Sequence, residues 1–75
     1  MERFIVNTNG LEFLAVLYRE GPAWIAQCIE FDIMAQGYSP EDAASKLHNT
    51  VKAELGGKGK EALEHIGPAP LKYFN

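Results

Sequence analysis

The step Ser39-Pro40-Glu41-Asp42 is the feature that most narrows what this chain can fold into. A serine hydroxyl can accept from an orphan backbone N–H in the first turn of a helix. Proline at the first helical position lacks an N–H that would go unpaired there. Two acids in the first turn oppose the positive end of the helix dipole. The helix so announced runs to about Leu55, where Gly56-Gly57 stops it. Ala43, Leu47, Val51 and Leu55, with Ala44 beside them, form one apolar stripe, and the rest of the surface is polar. A helix this one-sided needs a sheet to lie on.

Strand patterns precede it. Arg3 to Asn7 is a short β-prone run ending in Asn7-Thr8-Asn9-Gly10, a hairpin signal because Asn and Gly tolerate positive φ. Glu12 to Arg19 is apolar at both even and odd positions, so both of its faces are expected to be covered. A helix on one face and a neighbouring subunit on the other would do this. Glu20-Gly21-Pro22 turns the chain, Ala23 to Ile29 pairs back, and Ile33 to Gly37 is a short strand closed by glycine. The expected fold class is α+β. A three- to four-stranded antiparallel sheet carries one main helix, as a β-β-β-α core, and a short helical or irregular C-terminal tail follows. Glu61 to Ile66 is expected to form one or two helical turns before Gly67-Pro68-Ala69-Pro70 breaks them. Residues 1–75 read as one domain, with the core at about 11–55 and the tail at 58–75.

Size bears on stability. A domain of 75 residues buries only about 60% of its unfolded surface. The lone Cys28 offers no disulfide. Oligomerisation, as a dimer or higher, is therefore expected, with Phe13, Leu17, Tyr73 and Phe74 as the self-association residues. No apolar run is long enough to cross a membrane, and Met1-Glu2-Arg3-Phe4 does not open a signal peptide. A cytoplasmic location is expected.

The charge is unevenly spread. Net charge is −3, and all of it falls in residues 1–38, where Glu2, Glu12, Glu20, Glu30 and Asp32 face only Arg3 and Arg19. Nucleic-acid binders carry basic patches, so direct DNA or RNA binding is disfavoured and a basic partner fits better. No phosphate loop, nucleophile triad or metal-ligand spacing is present. Gly56 to Lys60 follows a helix rather than a strand and reads as a helix stop. Cys28 reads as a small buried apolar residue. His48 borders the apolar stripe and is expected at the core margin or an interface. Glu30 and Asp32 could share a strand face about 7 Å apart, but loop solvation explains them better than a metal-dependent nuclease does. Trp24 serves equally as a core residue or an interface anchor. No catalytic residue, metal ligand or cofactor is expected.

The order Tyr18-Arg19-Glu20-Gly21, Trp24-Ile25-Ala26-Gln27-Cys28, Ala35-Gln36-Gly37-Tyr38-Ser39-Pro40-Glu41-Asp42-Ala43, then a helix with Leu47 and Val51, resembles the HicB-like family. These are the antitoxins of HicA/HicB toxin–antitoxin pairs. Gln36, Gly37, Ser39, Glu41 and Ala43 carry the hallmark strand end, cap and helix start. The likeness covers roughly residues 11–55. Where the family often has a Pro-Asp-Leu-Pro-Gly loop, this chain has Ile29-Glu30-Phe31-Asp32-Ile33. Nothing after Leu55 looks like the family's DNA-binding domain, so the resemblance is to short stand-alone members. It implies a partial RNase H-like fold and a non-enzymatic role: blocking a small basic HicA-type RNase toxin by shape and charge. Glu12, Glu20, Glu30 and Asp32 would be the acids at that interface, with Trp24 as anchor. The alternatives are an orphan homo-oligomeric domain with a structural or small-ligand role and, below it, an RNase H-like nuclease.

Overall fold

In a computed structural model of the chain, which describes residues 1–70, four strands and one helix follow in order. β1 is Glu2–Thr8, β2 Leu11–Glu20, β3 Ala23–Cys28, β4 Met34–Gly37 and α1 Pro40–Leu55; a 3₁₀ turn covers Lys60–Leu63. The strands form one antiparallel sheet in sequence order, a meander, and α1 packs on it. Each strand finds its partner one turn away, the least entropically costly way to close a sheet. Among the described residues no helix is long and apolar enough to cross a membrane.

The local chemistry explains the corners. Asn9 and Gly10 both sit at positive φ, 54° and 74°, as a tight two-residue hairpin turn demands. At the start of α1 the Ser39 hydroxyl accepts from the Asp42 N–H at 3.1 Å. Asp42 reaches back in turn, accepting from the Tyr38 N–H at 3.0 Å and from Lys46 Nζ at 3.0 Å. At its end Gly56 adopts the left-handed conformation and donates to the Lys52 carbonyl. The helix is thus closed at both ends by groups its own sequence supplies.

Side-chain alternation sorts the sheet into two faces. Phe13, Ala15 and Leu17 of β2 turn toward α1, joined by Val6, Ala26 and Cys28, and meet Ala43, Leu47, Val51 and Leu55 from the helix. Leu63 of the 3₁₀ turn closes this core from the side. Phe13 and Leu17, expected at a subunit contact, therefore lie under α1; Phe13 is 0% exposed. The sequence could not assign the faces because β2 is apolar on both, and the helix took the odd positions. Leu14, Val16 and Tyr18 belong to the opposite face, where Ile29 and Ala69 pack with them. Tyr73 and Phe74, the other two residues expected at a subunit contact, lie outside the described residues.

Ala69 reaches that face by a strap. After the 3₁₀ turn the chain passes around the end of the sheet. The Asp32 N–H donates to the Gly67 carbonyl at 2.7 Å, and the Ala69 N–H donates to the Ile29 carbonyl at 3.0 Å. The segment between 58 and 70 is thereby a clip with one side on the helix face and one on the other.

Candidate functional site

The acids named from the sequence do not form one patch. Glu12 opens β2, and the register pairs it with Asn7 beside the β1–β2 turn. Glu30 and Asp32 lie in the loop after β3, at the same end of the sheet. Glu20 closes β2 at the other end, eight residues from Glu12, or about 26 Å at the strand repeat. Trp24 lies with Glu20 at that far end, across the β2–β3 turn. The structure therefore brings Glu12, Glu30 and Asp32 together and leaves Glu20 and Trp24 apart from them.

Each member of the acidic end has a structural partner or an open aspect. Leu14 turns its N–H toward β3 at a point where β3 has ended. The Glu30 carboxylate accepts that N–H at 3.2 Å through Oε1, while its Oε2 accepts from Lys60 Nζ at 3.0 Å. Lys60 also stands 4.9 Å from the centre of the Phe13 ring, which is edge-to-face with Phe31. An exposed ion pair of this kind contributes about 1 kcal/mol or less. Asp32 accepts at Oδ1 from Gln27 Nε2, 2.9 Å away. Glu12 is exposed, with no ion pair among the described residues. The end of the sheet is acidic, but Glu30 and Asp32 also hold the chain's own loop in shape.

Gln27 is the residue of this region that sequence reasoning passed over. It is 1% exposed, and its amide nitrogen faces Asp32 and the carbonyls of Cys28 and Ile33, the last at 3.4 Å. A buried amide must be satisfied, and here it ties the β3–β4 loop into one piece. A single Gln in a strand pattern gives no sign of this, because the pairing depends on the loop folding back.

Trp24 is half-buried and packs against the helix-side core. Opposite it stands Gly37, whose missing side chain leaves room for the first turn of α1 to come close. A hollow of about 250 Å³ lies at this corner, lined by Pro22, Ala23, Gln36, Gly37, Tyr38 and Lys46. Tyr38 is 91% exposed, with the Lys46 ammonium 5.4 Å from its ring centre. His48 is half-buried, and its Nε2 is 3.1 Å from the Asn7 carbonyl oxygen.

Cys28 and Asp42 titrate away from their ordinary values. Cys28 is buried, and desolvation pushes its thiol pKa up from 9.0. A thiol kept protonated is a poor nucleophile. Asp42 is held below the usual 3.8, chiefly by the Tyr38 N–H and then by Lys46. Among the described residues no group of three His, Cys, Asp or Glu side chains is arranged to hold a metal ion. Comparison of the chain with family models, curated proteins and solved structures yields no match.

Proposed function

We propose that this chain is a non-enzymatic protein-interaction module similar to HicB antitoxins, which covers a small basic RNase toxin of the HicA type. The observation that carries the reading is the gathering of Glu12, Glu30 and Asp32 at one end of the sheet. The order of elements is in keeping with it: a strand meander, then a Ser-Pro-capped helix. Carboxylates on a rigid sheet end steer a basic partner and set its orientation. Blocking would be steric, with the acidic end laid over the basic RNA-binding surface of the toxin. Glu12 is the acid most open to a partner. Glu30 and Asp32 add charge while staying tied to Lys60 and Gln27. Glu20, about 26 Å away by strand length, and Trp24, about 23 Å away opposite Arg19, would not belong to the same contact.

Co-expression with a HicA-like protein encoded beside this chain tests the proposal. Relief of toxicity and co-purification are expected, both weakened by Glu12→Lys with Asp32→Asn. Unrelieved toxicity with no co-purification refutes it.

A further inference from the structure

We propose that two copies of this chain join edge to edge through β1, antiparallel about a two-fold axis at Ile5, so that two four-stranded sheets become one continuous sheet. The proposal does not depend on the antitoxin reading.

The direction of the backbone groups along β1 follows from the ladder. The Ile29 N–H donates to the Leu14 carbonyl at 2.9 Å, so Leu14 turns its polar groups toward β3. In an antiparallel sheet these directions alternate residue by residue. Phe13 and Ala15 therefore turn toward β1, and their partners Val6 and Phe4 answer them. Arg3, Ile5 and Asn7 are left with N–H and C=O pointing away from the sheet. The His48 contact agrees, since it reaches the Asn7 carbonyl from outside the ladder. It leaves the Asn7 N–H and the second lone pair of that carbonyl. No described residue pairs with the backbone of Arg3 or Ile5.

Such an edge is normally blunted by charged side chains, above all lysine, by proline, by a bulge or by being very short, and β1 has charges only at its first two residues, Glu2 and Arg3. β1 has seven residues and neither lysine nor proline. Ile5 at its middle is 54% exposed. The other edge, β4, has four residues and lies against the start of α1.

Charge names the occupant. Hydrogen-bonding parity allows Arg3, Ile5 and Asn7 to face only one another on the second strand. The whole of Glu2–Thr8 overlaps when Ile5 meets Ile5, which sets Arg3 opposite Asn7 of the second copy. Asn7 is itself paired with Glu12 in its own protomer, on the same face. Arg3 of one copy and Glu12 of the other then stand two strand spacings apart, about 9–10 Å between backbones, with only the short Asn7 side chain between. Both long side chains are exposed, and neither has an ion pair among the described residues. The two-fold axis makes the match twice. Sliding by two residues sets Ile5 against Arg3 or against Asn7 and breaks both pairs. A second copy therefore fits this edge with complementary charge.

Sedimentation at micromolar concentration is the test, with circular dichroism to confirm folding of each variant. A dimer is expected for the unaltered chain. Arg3→Glu and Glu12→Arg should each weaken it about tenfold, since each replaces two attractions by two repulsions. The double swap should restore it. Ile5→Cys should cross-link under mild oxidation, because directly opposed residues of a hydrogen-bonded pair sit about 5.5 Å apart, within disulfide reach. A monomeric chain, a dimer indifferent to both single reversals, or an Ile5→Cys variant that stays uncross-linked would overturn the proposal.

Discussion

Gly37 decides how closely α1 approaches the sheet, and Gly37→Ala measures that closeness. A Cβ at this position would stand 2.5 Å from the Ala43 nitrogen and 2.9 Å from its Cα, with Asp42 Oδ2 at 2.8 Å. Two of these are backbone atoms of the helix and cannot swing away. Ordinary contact begins near 3.4 Å, so the first turn must lift by roughly 1 Å, a shift of the kind that overpacking imposes at about 1–3 kcal/mol. The lift pulls on the Ser39–Asp42 and Tyr38–Asp42 hydrogen bonds, and a lost cap costs about 1 kcal/mol. Against this, alanine restricts the unfolded chain and returns about 0.4–1 kcal/mol. The net expectation is a loss of about 2–3 kcal/mol, large beside the 5–15 kcal/mol of a typical domain. Urea unfolding followed by circular dichroism gives the number, with an unchanged slope showing that the two-state comparison holds. Gly67→Ala is the control. Nothing lies within 4 Å of its Cβ position, so it should cost nothing and return the same gain of about 0.4–1 kcal/mol. If Gly37→Ala is no more destabilising than that control, the close approach of helix to sheet does not exist as described.

Three further outcomes follow from the same structure. Gln27→Leu, close in size but without the amide, should cost about 1–3 kcal/mol in denaturant unfolding by leaving loop acceptors unpaired. The Cys28 thiol, buried and raised above 9.0, should react with a thiol reagent only at the rate of global unfolding; fast labelling of the folded chain would contradict its placement. Asp42 has a lowered pKa, so its carboxylate adds stability above the ordinary value of 3.8, and that stability is lost as pH falls below it through the folded pKa. Asp42→Asn should flatten this acid dependence, and a carboxyl titration by NMR that finds Asp42 at or above 3.8 would contradict the arrangement.

Local chemistry was written plainly in the chain, and tertiary choices were not. The Ser39 cap, the Gly56 stop, the Asn9-Gly10 turn and the apolar stripe of α1 all depend on neighbours within a few residues, and all stand where the spacing put them. The four-strand meander followed from short turns between β-prone runs. The assignment of Phe13 and Leu17 failed because periodicity shows that β2 has two apolar faces without saying which one the helix takes. The acids were legible as charge but not as geometry: folding set Glu20 far from Glu12, and it gave Glu30 and Asp32 partners from Lys60 and Gln27. The outward backbone of β1 was equally invisible, since it depends on the pairing parity of β2 and β3 rather than on any residue of β1 itself.

The strap has a consequence for the order in which the protein is made. Ala69 packs on Val16 and Ile29, and Gly67 holds the loop at Asp32, yet both leave the ribosome after the sheet and α1 have been synthesised. During that interval the even-numbered side of β2 stays wet and sticky in the nascent chain. A translational pause after Leu55 would lengthen the exposure, and chaperones should hold the growing chain until the clip snaps around.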